Sequence, residues 1–380
     1  MDFTYDDEQQ ALREAVRGLV GKAYADFETR RTTVADDPGF DEKLWKRLAE
    51  MGVLGLPFHE EDGGSGAGPV EVAIVAEEMG RVLAPEPFLT AVVLAGGLVA
   101  AAGSKEQRAE VLGALSAGES VLGFAHAEPG TRWTSSASAV AATQDGDEWT
   151  LNGVKEPVPH GARADQLVVS AALPDGGTGL FLVDPTADGV SRDGYATHDG
   201  GRAARVALSD AAGVPLGDGG DATATIAAVL DIGRVMACNE AIGAMEFQLK
   251  GTTEYLKSRK QFGVTLNTFQ ALNFRAADMY VSLELAKSLT TWATMVLDAG
   301  KPDQMAVAAS RAGLGVSRAG RHIGQEAIQL HGGIAMTAEY SIGSYSSHLT
   351  ALDHLLGDGD HHLRVLAANV GDHEEFDPLG

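Results

Sequence analysis

The sequence predicts a mostly helical α+β protein in which helices, then strands, then helices follow one another along the chain. Before residue 120 and after residue 223, apolar residues recur with the period of an α-helix. Between them lie short runs rich in Val, Leu and Ala, separated by turn sequences. The predicted units are an N-terminal helical domain (1–120), a middle antiparallel β domain (121–222), a C-terminal four-helix bundle (223–370) and an acidic tail (371–380).

Length and composition limit the classes of function. The chain has 380 residues, of which 44% are hydrophobic and 22% charged, which suits a globular protein with more than one compact unit. A formal net charge of −24 argues against nucleic acid as a partner, because phosphate binding needs a basic face. There is no apolar run long enough to span a membrane, and the acidic start is not a secretory signal. With Cys238 as its single cysteine, the chain is expected in the cytoplasm.

Five helices are predicted in the N-terminal domain. Segment 6–28 places apolar residues on one face, and segment 41–57 is a second helix ended by Gly52 and Pro57. Pro69 opens the third helix, because proline is favoured in the first turn. Two further helices are expected over 87–103 and 104–120.

Turn signals divide the middle domain, and long helices fill the C-terminal one. Asp145-Gly146 and Asn152-Gly153 are predicted turns between strands. Long apolar stripes over 222–259, 269–300 and 304–332 favour a four-helix bundle.

Several common functional motifs are absent from the sequence. There is no P-loop, no dinucleotide-binding G-x-G-x-x-G after a strand and no G-x-S-x-G nucleophile elbow. The segment 351–364 concentrates histidine and aspartate, which raises the question of a metal site. Two glycines interrupt this segment and its neighbouring side chains diverge around a helix, so no metal is expected there.

The stretch "SRKQFG" at 258–263 carries a more specific signal. A basic pair ends one long helix, a turn follows, and Gln270 begins the next helix. Arg259 could hold an anionic nucleotide while Phe262 packs on its flat part. The alternative is an ordinary connection between two helices.

Several segments together resemble the acyl-CoA dehydrogenase family in order and spacing. They are "EEDGGSG" (60–66), "AEP" (127–129), "LNGVK" (151–155), "YLKSRKQFG" (255–263) and "AIQLHGGIAMTAEY" (327–340). The family's fold has the same helix, strand and helix order. The resemblance implies α,β-dehydrogenation of a CoA thioester, in which a carboxylate removes the α-proton and FAD accepts the β-hydride.

The resemblance also implies a cofactor site between chains. In relatives, one subunit contacts FAD through an R-x-x-F segment and a later Gln, and the neighbouring subunit contributes a Q-x-x-G-G segment. The corresponding residues in this chain are Arg259, Gln261, Phe262, Gln270, Gln329, Gly332 and Gly333. The resemblance therefore implies an oligomer, with electron-transfer flavoprotein or a similar acceptor as a partner.

The positions that carry the catalytic carboxylate in relatives are not acidic here. One position falls on Leu356, or on Gly357 if the register slips by one, and the other is Gly233, just before Arg234. The β domain departs as well. Ala127 replaces the Thr of the family's T-E-P, and "GTRW" replaces the segment that carries G-S-D. Segment 156–165 has no Trp where relatives place an aromatic residue on the flavin.

Three functions remain open at this stage. In the first, the chain is similar to the small subunits of heteromeric enzymes of the pimeloyl-CoA or steroid-degrading type, and a sister subunit partly supplies the base and flavin contacts. It could instead be self-sufficient, with Asp358 as a displaced base, or a silent scaffold that binds CoA ligands. Arg234 and Glu240 are candidate substrate residues, since Glu240 lies two turns beyond Gly233 and could bind a polar acyl group. The alternative for Glu240 is an ion pair.

Overall fold

A computed structural model describes residues 4–368 and 370–372 of the chain. The N-terminal helices are α1 (Asp7–Ala23), α2 (Phe27–Ala35), α3 (Glu42–Glu50), α4 (Pro69–Val82), a π-helical segment (Phe88–Gly96), α5 (Gly97–Ala102) and α6 (Lys105–Ser116). The prediction of a single helix over 6–28 was wrong, because α1 ends at Ala23. The Asp26 side chain accepts a hydrogen bond from the Glu28 N–H and starts a new helix there.

The middle part of the chain forms a mostly antiparallel sheet. Its strands are β1 (Leu122–Ala125), β2 (Ala141–Asp145), β3 (Glu148–Pro159), β4 (Gln166–Ala172), β5 (Thr178–Val183), β6 (Val190–Ala196), β7 (Arg202–Ala212) and β8 (Val214–Pro215). They are ordered β6-β7-β3-β2-β4-β5-β8, and β1 pairs in parallel with β4.

One of the two predicted turns is correct. Asp145-Gly146 lies in the hairpin between β2 and β3. The prediction of a turn at Asn152-Gly153 was wrong, because both residues lie inside β3. The pairing of β3 with β7 shifts its register between Leu151 and Gly153, so a β-bulge absorbs the positive φ of Gly153 within a continuous strand.

The C-terminal part returns to long helices. They are α7 (Thr223–Ser258), α8 (Gln270–Asp298), α9 (Pro302–His331), α10 (Ser341–Leu355) and α11 (Gly359–Ala368), and a small hairpin of β9 (Lys260–Gln261) and β10 (Val264–Thr265) joins α7 to α8. Helix α7 also packs closely on α4. A Cβ atom at Gly243 would lie 1.9 Å from the carbonyl oxygen of Glu77, so a side chain there would separate the two helices.

The observed architecture confirms the predicted fold class. A helical N-terminal part, a central mostly antiparallel sheet and C-terminal helices follow in that order. One hydrophobic core joins both helical parts, and a second fills the sheet. The domain boundaries at 120 and 222 stay predictions, and residues 373–380 of the acidic tail lie outside the described residues. Within the described ranges, no helix combines the length and apolarity needed to cross a membrane.

Candidate active site

A small cavity lies where the sheet meets the helical parts. The π-helical segment contributes Thr90 and Leu94, and helix α7 contributes Leu230 and Arg234. Its other walls come from β1, the loop after β1, β3 and the end of α10. The cavity encloses about 80 Å³ and is lined mainly by apolar side chains. We call it the interdomain cavity.

Arg234 holds the turn that follows α10. Its Nε donates a hydrogen bond to the carbonyl oxygen of Leu356 at 2.8 Å, and its Nη1 lies 2.7 Å from Oδ1 of Asp231. Both of these contacts are within the protein, so the guanidinium supports the cavity wall and keeps Leu356 in place.

The two positions expected to carry a base meet at this wall. A Cβ atom built on Gly233 would lie 3.0 Å from Cδ1 of Leu356 and 2.4 Å from Cδ2 of Leu94. The structure therefore brings Gly233 and Leu356 together. Two positions that carry the same catalytic carboxylate in different relatives are expected to lie close together in this way. Leucine side chains fill the space, so neither position supplies a proton acceptor.

Asp358, considered above as a displaced catalytic base, caps a helix instead. Its Oδ1 accepts a hydrogen bond at 2.8 Å from the backbone N–H of His361, in the first turn of α11. This is an N-cap contact, which satisfies a helix N–H that would otherwise lack a partner. Asp358 is also absent from the lining of the interdomain cavity. The geometry disfavours Asp358 as a base.

Trp133 closes one side of the interdomain cavity. Its φ of 54° is in the left-handed region, which is strained for a bulky side chain. The indole N–H donates a hydrogen bond to the carbonyl oxygen of His354 at 3.0 Å, and the ring lies 5.4 Å from that of His361. The sequence showed "GTRW" as a departure from the family pattern but gave no signal for this contact across the domains.

A buried polar network supports the loop that carries Trp133. Lys155 Nζ lies 2.8 Å from Glu128 Oε1 and donates to Ser170 Oγ at 3.1 Å, with both charged side chains inaccessible to solvent. Burial lowers the pKa of Lys155 to about 8. Burial opposes ionisation of Glu128, but its hydrogen bonds with Lys155 and with backbone N–H groups of Val140 and Ala139 lower its pKa to about 2.

Glu240 lies in an ion pair away from the interdomain cavity. Its Oε1 is 2.8 Å from Nε2 of His348, and the other ring nitrogen of His348 is 2.9 Å from Oδ2 of Asp199. Burial opposes protonation of His348, but these two hydrogen bonds outweigh it and raise its pKa to about 9. The carboxylate of Glu240 is thus occupied, which favours the ion-pair alternative over binding of an acyl group.

The residues implied in FAD binding gather at one end of the helical bundle. We call this end the bundle tip and define it by residues 259–270 and 329–333. Tyr255, one turn before Arg259, has its ring 4.4 Å from that of His331, so the two segments adjoin within one chain. One chain can therefore present both segments to a single FAD, which differs from the division between two subunits that the resemblance implied. The candidate cofactor residues there are all exposed: Arg259, Gln261, Phe262, Gln270, Gln329, Gly332 and Gly333.

The bundle tip has the properties of an incomplete site. The side chain of Phe262 is 92% exposed, and the residue has a positive φ of 53°. Among the described residues, nothing lies within 4 Å of a Cβ atom at Gly332 or Gly333, and Nε2 of the buried His331 beside them has no hydrogen-bond partner. A large exposed aromatic side chain and open glycines are expected where another molecule completes the contacts.

The bundle tip is far from the interdomain cavity of the same chain. Arg234 and Arg259 are 25 residues apart, and α7 is continuous up to Ser258, which corresponds to about 38 Å at the rise of an α-helix. An extended FAD molecule does not span this distance. One FAD therefore cannot contact both regions of a single chain.

The histidine-rich segment after α10 is not assembled as a metal centre. In the part of the chain that the structure describes, no group of three or more His, Cys, Asp or Glu side chains could hold a metal ion.

Comparisons with known proteins identify the family. The family model for the acyl-CoA dehydrogenase N-terminal domain matches residues 6–119, and that for the C-terminal domain matches residues 221–371. Acyl-CoA dehydrogenase IpdE2 of Mycobacterium tuberculosis is 31% identical over 372 residues, covering 97% of this chain and 99% of the relative. The chain belongs to the acyl-CoA dehydrogenase family.

Two solved structures share the whole architecture of this chain. The Tcur3481-Tcur3483 steroid ACAD variant is 31% identical with a TM-score of 0.88, covering 96% of this chain and 98% of that one. The ChsE4-ChsE5 complex from Mycobacterium tuberculosis is 26% identical with a TM-score of 0.88, covering 99% of this chain and 100% of that one.

FAD is the cofactor of this family, and the two candidate regions differ in how well they fit it. The bundle tip fits, since it offers an exposed cation, an exposed aromatic ring and open glycine backbone for phosphates. The interdomain cavity does not fit a flavin ring. Its volume of about 80 Å³ is far below that of ordinary cofactor sites, Trp133 lines it, and Ala127 offers no hydroxyl group.

Proposed function

We propose that this chain is one subunit of a heteromeric FAD-dependent acyl-CoA dehydrogenase, similar to the small subunits of pimeloyl-CoA and steroid-degrading enzymes. A second acyl-CoA dehydrogenase-like chain, the sister subunit, would provide the catalytic carboxylate and the pocket for the flavin ring. The observation that carries the proposal is the contact between Gly233 and Leu356, since both base positions are apolar and filled.

This chain would contribute its bundle tip to the shared cofactor site. Arg259 would pair with the pyrophosphate, Phe262 would pack on a flat part of the cofactor, and Gly332 and Gly333 would allow close backbone contact. When bound there, FAD supplies the hydride acceptor for the β-hydrogen of the thioester. The names of two similar structures, the Tcur3481-Tcur3483 enzyme and the ChsE4-ChsE5 complex, support a two-chain assembly.

An exposed apolar surface is available for a partner subunit. On α8, Phe274, Val281 and Leu285 lie on one face and are 60%, 54% and 64% exposed. Met336, near the bundle tip, is 75% exposed. Apolar surface of this kind marks association surfaces. Electron-transfer flavoprotein, or a similar carrier, is the proposed acceptor of the electrons.

The flavin content of the purified protein tests the proposal. We expect this chain to be colourless when expressed alone. When this chain is co-expressed with a candidate sister subunit, an acyl-CoA dehydrogenase-like chain from the same genome, we expect a yellow complex with one FAD per pair of chains. A yellow homo-oligomer with one FAD per chain would contradict the heteromeric assignment. A stable flavin-free complex without turnover would favour the scaffold alternative.

A further inference from the structure

A second cavity lies on the other side of Arg234 and Leu356 from the interdomain cavity. Helices α7, α9 and α10 surround it, and Arg234 and Leu356 line both cavities. It encloses about 330 Å³, a volume in the range of small-molecule binding sites. We call it the bundle cavity, and none of the flavin-binding residues proposed at the bundle tip lines it.

The floor of the bundle cavity is made of small side chains. Helix α7 contributes Ala237, Cys238 and Ala241, and helix α9 contributes Gly320 and Gly324. Protein interiors are normally packed to the density of organic crystals. A space of this size over small apolar side chains therefore suits a hydrocarbon group, while Ser346, Ser347 and Thr350 add polar groups to the lining.

The rim of the bundle cavity offers an arginine without an ion pair. Arg321 is exposed and has no ion pair within residues 4–368 and 370–372. Arg234 is occupied by Asp231 and by the Leu356 carbonyl, and the carboxylate of Asp353, which also lines the cavity, lies 3.9 Å from Nδ1 of His354. A ligand anion at the mouth would therefore meet a free guanidinium.

A buried histidine in the lining also lacks a partner. His362 is 3% exposed, lines the bundle cavity, and its Nδ1 makes no hydrogen bond in the described part of the chain. Burial and the nearby Arg234 lower its pKa to about 4, so the ring is neutral at neutral pH. Buried polar atoms normally have a hydrogen-bond partner. A ligand that enters the bundle cavity could supply that partner to Nδ1 of His362.

We propose that the bundle cavity binds an amphipathic carboxylate, with its hydrocarbon part on the small-residue floor and its carboxylate at Arg321. This binding requires neither flavin nor a sister subunit, so the proposal stands apart from the proposed dehydrogenase function. Because Arg234 and Leu356 form the shared wall, an occupant would contact the turn that follows α10.

Isothermal titration calorimetry of the full chain tests the proposal with decanoate and with decan-1-ol, an uncharged probe of the same length. We expect decanoate to bind more tightly than decan-1-ol. Arg321→Gln should weaken decanoate binding about tenfold, as loss of a charged hydrogen bond does, and should leave decan-1-ol binding unchanged.

Gly320→Leu should abolish binding of both probes by filling the floor. A Cβ atom at Gly320 would lie 3.7 Å from Leu349, an ordinary contact, so Gly320→Ala is a matched control that should bind both. Both substitutions favour helix formation, and circular dichroism would verify folding. Equal affinity for the two probes, or normal decanoate binding by folded Gly320→Leu, would overturn the proposal.

Discussion

Leu356 packs directly over the backbone of Gly233, with its Cδ1 3.0 Å from where a Cβ atom of residue 233 would lie. The two positions are 123 residues apart in sequence, yet they are in contact beside the interdomain cavity, which Leu356 and the next residue after Gly233, Arg234, both line. The resemblance implied that either could carry the catalytic carboxylate. Their contact explains how alternative positions could serve one reaction, and their identities indicate that this chain does not supply the base.

The bundle tip should matter for FAD affinity but not for the fold of this chain. In the complex with the sister subunit, Arg259→Ala and Phe262→Ala should each weaken FAD binding about tenfold, the effect of losing one charged hydrogen bond or a stacked ring. Both side chains are exposed, so the melting temperature of the isolated chain should not change.

Lys257→Ala is a matched control for these variants. Lys257 lies on the same helix end and pairs with Glu254 at 3.0 Å, so its loss should leave FAD affinity unchanged. FAD affinity is measured by fluorescence titration of the apo-complex. An equal loss of FAD affinity in all three variants would indicate a general disturbance of the helix end. Unchanged FAD affinity in all three would contradict a cofactor site at the bundle tip.

Asp358 should behave as a helix cap. Asp358→Ala should lower the free energy of unfolding by about 1 kcal/mol, whereas Asp358→Asn should cost little, because asparagine is an equally good cap. Urea denaturation measures the difference. Turnover of the complex should be the same in both variants, and a large loss of turnover in Asp358→Asn would revive the displaced-base alternative.

The ion pairs of His348 should make stability depend on pH. The ring's pKa is about 6.5 when unfolded and about 9 in the fold, so the stabilisation is complete below pH 6.5 and is lost as pH rises through 9. The shift corresponds to about 3 kcal/mol. His348→Gln should flatten the fall in unfolding free energy between pH 6.5 and 9.5, and an identical slope in both proteins would refute this role.

The buried pair of Lys155 and Glu128 should be costly to break. Lys155→Met leaves the carboxylate of Glu128 buried without its cation, and the expected loss is about 3–5 kcal/mol of unfolding free energy. The double variant with Glu128→Leu removes the orphaned charge and should recover part of the loss. Chemical denaturation of the single and double variants measures the coupling, and an unstable double variant with no recovery would contradict this explanation.

Local features of the fold were predictable from the sequence. Pro69 and Gln270 begin helices as predicted, and Asp145-Gly146 forms a hairpin turn. These features depend on the backbone preferences of a few neighbouring residues. Asn152-Gly153 was misassigned because a bulge within a strand uses the same glycine chemistry as a turn.

The contacts that define the site were not predictable. Trp133 and His354 are 221 residues apart and meet only because the sheet docks against the bundle. The same docking places His348 between Asp199 and Glu240. Periodicity reports which face of a helix is buried, but not which distant side chain lies opposite that face. The occupied carboxylate of Glu240 and the capping role of Asp358 therefore required the structure.

Dye-linked oxidation of acyl-CoA thioesters tests the central claim most directly. The assay compares this chain alone, supplied with excess FAD, with the complex that includes the sister subunit, over a panel of acyl-CoAs. We predict turnover by the complex and none by this chain alone, because the wall formed by Gly233 and Leu356 lacks a base. Sustained turnover by the isolated chain would contradict the claim.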